Sequence, residues 1–321
     1  MLAPMHNNRI VIIMVNWNAP AKTLACLDSL RGQAECAEIV LLDNGSTDDS
    51  VTKITAWATE NAVSLLVLPT LNGLPAPTGH PLTLVTLPDN LGFGKANNLG
   101  MAYAIRTGAD FVLLLNNDTV VTPGFLGRLV AIAAKAARPG IIGCTIRYFD
   151  QPKGIWFGGG KINARKGAFY HRHTACQGVA TTDFVTGCLM LIPCPVLQTV
   201  GLFDDRFFLN VEDIDLSCRV AEAGYDLLVD CDTVIYHKVS ASIGGLYSAR
   251  NQYYFHRNRM LFFENRLKGW RWALFLLTQF GLLIPGWFGV QMLCRRFPAM
   301  RGALQGYIDY WHGRTGKDAR P

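Results

Sequence analysis

The sequence predicts a doubly wound α/β domain with a mostly parallel sheet flanked by helices, followed by a helical tail. Three observations carry this prediction. Short β-branched apolar runs end in polar, acid-bearing turns. Helical apolar patterns separate these runs. An uncharged stretch from Ala273 to Leu293 then follows in the tail. Strands buried on both faces read as near-continuous apolar runs, and their alternation with helices gives a parallel sheet.

Ile10 to Val15 is the first such run and reads as a buried strand. Asn18 and Pro20 offer a helix start, with Leu24, Leu27 and Leu30 on one face. Glu38 to Asp43 is a second buried strand, opening into the polar turn Asp43-Asn44-Gly45-Ser46-Thr47-Asp48. Residues 69–88 hold several Pro and Gly and read as an irregular excursion. Asp89 to Asn98 runs through Gly92-Phe93-Gly94-Lys95 into a helix. Phe111 to Leu115 is the next buried strand and ends in Asn116-Asn117-Asp118, after which Thr122-Pro123 opens a helix. Residues 141–184 mix short strands with Gly-rich turns. Gly158-Gly159-Gly160-Lys161 lacks the spacing and the Ser/Thr of a phosphate loop. From Asp213 the pattern is helical, with a stop at Gly224. Leu227–Val229 and Thr233–Tyr236 then read as two strands.

The chain has 321 residues, room for one large domain and a tail. Half of them are hydrophobic and 17% are charged, which is too polar for a multi-span membrane protein. A net charge of +6 suits anionic partners such as nucleotides, diphosphates or acidic lipid surfaces. The nine cysteines include no C-x-x-C pair and read as reduced, buried thiols. Residues 1–9 are polar and show no signal peptide, so a cytoplasmic protein is expected.

In doubly wound sheets, ligands sit at the carboxyl ends of strands. Asp43, Asp118 and the segment Val211-Glu212-Asp213-Ile214-Asp215 each fall where an apolar stretch opens into polar sequence. Asp118 after a buried strand suits a hard divalent cation, Mg²⁺ or Mn²⁺, which takes oxygen ligands and keeps substrate phosphates in its shell. His237, ending the strand Thr233–Tyr236, is the candidate imidazole. Asp213 at a helix start is expected to be ionised, stabilised by the helix N-terminus. It is the candidate general base, with Glu212 and Asp215 in support. Gly92 and Gly94 permit close approach of backbone to a phosphate. The third glycine of a dinucleotide fingerprint is replaced by Asn97, which counts against a nicotinamide enzyme.

Taken in order, these segments resemble the family 2 glycosyltransferases with the GT-A fold, in their rhamnosyltransferase-like branch. The resemblance is carried by Val15-Asn16-Trp17-Asn18, Leu42 to Asp48, Asn90 to Asn98 and Leu115 to Asp118. It continues through Thr186 to Ile192, Gly201 to Asp204, Phe208 to Leu216 and the late His237, covering about residues 9–265. It implies a nucleotide held by Val15, Asn16, Asp43 and Asn44, with Asn90, Gly92, Lys95, Asn97, Asn116 and Asn117 completing the donor site. Asp118 and His237 would hold the metal, with Asn116-Asn117-Asp118 standing where the family has Asp-x-Asp. Asp213 would be the base, and Arg257 and Arg259 would close over the diphosphate.

The implied organisation is a catalytic domain at 1–265, divided at about residue 120 into a nucleotide-sugar half and an acceptor half, and a helical segment at 266–321. The implied activity is inverting, metal-dependent transfer of a sugar to a glycan or lipid-linked acceptor. Rhamnose from dTDP-rhamnose is the first expectation. UDP-galactofuranose and UDP-N-acetylhexosamine are the alternative donors, and a non-catalytic binding subunit of a membrane complex is the alternative class. No nucleic-acid partner is expected. Gln279, Gly281, Pro285-Gly286 and Gly289 interrupt the apolar tail, which therefore reads as a broken pair of helices on the inner face of the cell membrane. Trp270, Trp272 and Trp287 suit the interface.

Overall fold

The computed structural model describes residues 8–32, 37–72, 81–239, 245 and 247–318. The first half comprises β1 (Ile10–Asn16), α1 (Pro20–Leu30), β2 (Ala37–Asp43), α2 (Ser50–Glu60), β3 (Leu65–Leu68), β4 (Leu82–Thr86), α3 (Phe93–Arg106) and β5 (Phe111–Leu115). There follow β6 (Thr119–Val120), α4 (Phe125–Lys135), β7 (Pro139–Tyr148), β8 (Ile155–Phe157), β9 (Gly160–Asn163), β10 (Ala168–His171) and β11 (Val179–Thr181). Next come β12 (Leu189–Pro193), α5 (Cys194–Val200), α6 (Glu212–Glu222) and β13 (Asp226–His237). The chain closes with α7 (Ala249–Arg266), α8 (Trp270–Thr278), a π-helical turn (Gln279–Leu283), α9 (Ile284–Leu293) and α10 (Phe297–Trp311).

The main sheet runs β11-β13-β7-β12-β5-β1-β2-β4-β3. β1 pairs in parallel with β2 and β5, and β4 in parallel with β2 and β3. β12 is the antiparallel insertion, with Leu191 facing Leu113 of β5 and Ile142 of β7. Successive strand residues point to opposite faces, and β1 shows the consequence. Ile10, Ile12 and Met14 join one core, while Val11 and Ile13 join the other. Full burial of each such side chain contributes about 1.5–3 kcal/mol. Parallel strands share their carboxyl ends, so Asn16 lies beside Asp43 in register.

Four expectations are corrected. Residues 82–86 of the supposed excursion are β4, an inner strand buried from Leu82 to Val85; its Pro- and Gly-rich neighbours mask a short run. Residues 73–80 lie outside the described residues. The helix after Pro123 begins at Phe125, behind a left-handed Gly124. The two late strands are one, β13, with its register against β7 shifting between Asp230 and Val234. Cys176 and Cys231 form a disulfide, where only reduced thiols were expected: β11 lies antiparallel to β13, and the two Cα atoms are 5.3 Å apart. Cys36 lies outside the described residues.

The tail also differs from its expected form. Trp270–Leu293 is one continuous helical run of 24 residues, long and apolar enough to cross a membrane by length and composition. The π-turn absorbs the irregularity ahead of Pro285, which sits in the first turn of α9, where it is tolerated. Only 11% of its most apolar window is buried. α10 packs back along α7 instead of standing apart. Gly302 permits this, because a Cβ there would lie 2.0 Å from the Ala249 carbonyl oxygen.

Candidate active site

Three groups of site residues collect at the carboxyl ends of the central strands. The first joins the ends of β1 and β2. The Asn16 amide donates to Asp43 Oδ1 at 2.7 Å, and Asn16 Oδ1 accepts from the Thr23 hydroxyl at 2.7 Å. Asp43 Oδ1 also accepts from Ser46 Oγ at 2.6 Å. The Asn117 amide donates to Thr23 Oγ1 at 2.8 Å, tying the end of β5 to α1. Asn44 bridges to the next loop: it donates to Asn90 Oδ1 at 3.2 Å and accepts from the Leu91 amide at 2.9 Å. Val15, Asn16, Asp43, Asn44, Asn90, Asn116 and Asn117 therefore lie along one rim of the sheet. Lys95 is exposed at the start of α3.

The second group is Asp118 with His237. The pairing of His237 with Thr119 brings the end of β13 to the turn after β5. His237 Nε2 lies 3.0 Å from Asp118 Oδ1, and both residues are buried. The edge of His237 packs on Trp156 with ring centroids 4.5 Å apart, while its Nδ1 is buried with no hydrogen-bond partner among the described residues. A carboxylate oxygen and one nitrogen of this imidazole are donors that suit a divalent cation, and the orphaned Nδ1 leaves the ring one nitrogen without a protein partner among the described residues. Among the described residues no group of three or more His, Cys, Asp or Glu gathers, so most of such an ion's shell would be diphosphate and water oxygens.

The third group is the start of α6. Asp213 is the second residue of that helix, and its Oδ2 accepts from the Gly187 amide at 2.8 Å while Oδ1 accepts from the Ile214 amide at 2.8 Å. Gly187 lies two residues before Leu189, which pairs with Leu115, three residues before Asp118. Topology thus brings the base candidate and the Asp118–His237 pair to one rim. The expectation of a carboxylate kept charged by the helix end is incomplete. Burial pushes the Asp213 carboxyl up, against the pull of those two amides, and pushes Glu212 well above the usual range, with Asp213 beside it adding to the rise. A base with a raised pKa is a stronger proton acceptor near neutrality. Asp215 has another role: it pairs with Arg219 at 2.8 Å and Arg266 at 3.0 Å, fixing α6 to α7.

The chain before α6 is strained. Asn210 and Val211 both take left-handed conformations, at φ 67° and 77°, and Val211 is β-branched. Such residues persist where surroundings over-determine them, at a cost of about 1–3 kcal/mol each. Here α7 does so: the Asn258 amide donates to the carbonyls of Leu209 at 2.8 Å and Asn210 at 3.0 Å, and Asn210 donates to Asn251 Oδ1 at 2.9 Å. Sequence reasoning missed Asn258 and Asn251, because their partners are more than 40 residues away.

Four expected donor contacts meet different surroundings. Arg257 is buried against the rings of Tyr253 and Tyr254 and donates to the Gly316 carbonyl at 2.8 Å. Arg259 is buried and donates to the Gly167 carbonyl at 3.1 Å and the Tyr307 hydroxyl at 2.8 Å. Both guanidiniums brace α7 instead of closing over a diphosphate. The Asn97 amide donates to Phe93 within its own helix at 2.9 Å and is buried. The space on the Cβ side of Gly92 is taken by Phe208, whose carbonyl oxygen would lie 2.4 Å from a Cβ, so the glycine admits this close packing of the chain.

The fold is the GT-A fold of nucleotide-sugar transferases. The chain superposes on a mannosyltransferase of Pyrobaculum calidifontis in complex with GDP-mannose and Mn²⁺, with a TM-score of 0.58 at 15% identity, over 98% of this chain and 90% of that one. It superposes on GalNAc-T7 with UDP, GalNAc and Mn²⁺ at a TM-score of 0.59 and 14% identity; 79% of this chain matches 48% of that enzyme, so it spans about half that length. The sequence profile of glycosyl transferase family 2 matches residues 11–201, and that of glycosyl transferase family group 2 matches residues 111–310. The chain belongs to glycosyltransferase family 2 and resembles its rhamnosyltransferase-like branch. It is 27% identical to the N-acetylglucosaminyl-diphospho-decaprenol L-rhamnosyltransferase of Mycobacterium tuberculosis over 259 residues, 74% of this chain and 79% of that protein. It is 23% identical to the low-salt glycan biosynthesis hexosyltransferase Agl10 of Haloferax volcanii, over 96% of this chain and 93% of that one.

Proposed function

We infer that this glycosyltransferase works by a single inverting displacement at residues 1–265, with Asp213 as base, and that residues 266–321 attach it to the inner face of the cell membrane. The observation that carries this reading is the convergence of the Asp118–His237 pair and the amide-held Asp213 on one rim of the sheet. The donor is a nucleotide diphosphate sugar, with dTDP-rhamnose favoured by the mycobacterial relative. The acceptor is a hydroxyl of a glycan or lipid-linked sugar.

Asn16, Asp43 and Asn44 frame the nucleotide pocket, with Asn90, Asn116 and Asn117 around it. Asp118 and His237 would hold Mg²⁺ or Mn²⁺, which when bound offsets negative charge on the departing nucleoside diphosphate. Asp213 accepts the proton of the acceptor hydroxyl. The oxygen forms its bond to sugar C1 as the C1–O bond to the diphosphate breaks on the opposite face, so the anomeric centre inverts. The Gly187 amide orients the Asp213 carboxylate, with Glu212 buried beside it.

A thermal-shift screen of sugar nucleotides with Mn²⁺ tests the donor assignment. A ligand at 100 times its Kd adds about 2.7 kcal/mol to stability. Stabilisation by dTDP-rhamnose above UDP sugars is expected. Stabilisation by no sugar nucleotide would remove the proposal.

A further inference from the structure

A cavity of about 520 Å³ opens between α7 and α10, outside the site described above. Arg250, Arg301 and Lys317 line it, with Tyr253, Tyr254 and Gln305. The three cations are exposed at its rim, and among the described residues none of them forms an ion pair with a carboxylate. One carboxylate, Asp318, also borders the cavity, leaving a surplus of two positive charges. Guanidiniums bind phosphate oxygens in a bidentate fork, and an ammonium adds a point charge.

Two neighbours say what the anion carries. On one side the wall is continuous with the approach to Asp213. Tyr254 stacks on Phe208 with ring centroids 5.0 Å apart, four residues before α6 begins, and Arg250 lies over Trp17, next to Asn16, at 5.0 Å. On the other side α10 turns an apolar stripe outward. Phe297, Leu304, Ile308 and Trp311 are exposed at helical spacing, beside the stripe that holds Arg301 and Gln305. Phe280 of the long apolar helix meets Trp311 at 6.0 Å, so this stripe runs on into the exposed Leu277 and Leu282. An anionic group in the cavity thus has a sugar-transfer site on one flank and a lipid-facing surface on the other.

We propose that this cavity holds the diphosphate of a lipid-linked acceptor, whose hydrocarbon chain lies along the apolar stripe of α10 and the adjoining helix. The proposal rests on the lipid-linked acceptor of the proposed function and assigns it a site. Farnesyl diphosphate serves as the probe in titration calorimetry on the full chain, with farnesol, inorganic pyrophosphate and dTDP-rhamnose beside it. Farnesyl diphosphate should bind more tightly than farnesol or pyrophosphate alone. The double variant Arg301→Gln/Lys317→Gln should weaken it at least ~10-fold, since both side chains would supply charge-assisted hydrogen bonds to the diphosphate. Sugar-nucleotide affinity and Tm should be unchanged, and Arg301→Lys/Lys317→Arg should restore the affinity.

Unchanged farnesyl diphosphate binding would overturn the proposal, as would a loss that falls on the sugar nucleotide instead. Phosphatidylglycerol vesicles free of polyprenyl lipid separate a headgroup site from an acceptor site. The double variant should sediment with them as the wild type does; loss there, with farnesyl diphosphate binding intact, would assign the cavity to a headgroup and overturn the proposal. Binding is read without turnover, so a wild type that binds the probe but transfers no sugar counts against the proposed function and not against this site.

Discussion

The two sides of the site hold their polar residues in different ways. At the ends of β1 and β2, Asn16, Asp43, Thr23 and Ser46 satisfy one another within a relaxed network of short hydrogen bonds. At the start of α6, Asp213 sits behind two strained residues and beside a buried carboxyl, and its position is set by β12 and α7. The first arrangement suits a pocket that binds. The second keeps a carboxylate partly desolvated, which costs stability and raises its basicity. Each side carries a left-handed asparagine, Asn18 and Asn210, but the left-handed β-branched residue, Val211, stands on the side assigned the chemistry.

The contrast can be broken by substitution. The largest expected effect is Asp213→Asn, which should slow transfer by at least ~10²-fold while leaving donor affinity in place. Because burial raises this carboxyl, the wild type should lose stability as pH rises through its folded pKa. Asp213→Asn should remove that slope in urea unfolding, although its single acceptor oxygen leaves the Gly187 or the Ile214 amide unpaired. Next, His237→Ala should raise the Mn²⁺ concentration needed for half-maximal rate by at least ~10-fold, measured by metal titration of turnover. Third, Asn258→Ala strands the carbonyls of Leu209 and Asn210. It should cost about 1–3 kcal/mol in urea unfolding and lower kcat although Asp213 is intact. The smallest effect belongs to the relaxed side: Thr23→Val should cost about 1 kcal/mol and raise the donor KM more than it lowers kcat. Equal kcat losses in the last two variants would erase the distinction between the sides.

Much of the fold was legible because the strands that carry it are undisguised. Ile10–Val15, Glu38–Asp43 and Phe111–Leu115 are apolar runs closed by polar turns, and the structure ends β1, β2 and β5 within a residue of those limits. Asp118, Asp213 and His237 stood out for the same reason, as polar residues where apolar runs stop. What sequence did not give depends on distant partners. β4 hides among Pro and Gly and is recognisable only once β2 and β3 flank it. The Cys176–Cys231 disulfide spans 55 residues. Arg257 and Arg259 look like solvent-facing cations until α10 covers them, and that closure depends on Gly302. Asn258 supports the base loop from almost 50 residues away, with no local pattern to mark it.

The central claim is that Asp213 is the base of a glycosyl transfer, and its pH dependence tests it most directly. The base must be ionised, so log kcat/KM should rise with pH through its pKa. Burial should place that limb above the ordinary aspartate value of about 3.9. Transfer measured across pH for wild type and Asp213→Asn should show this limb in the wild type and lose it in the variant's residual activity. A variant that keeps the limb, or turns over near the wild-type rate, would contradict the assignment.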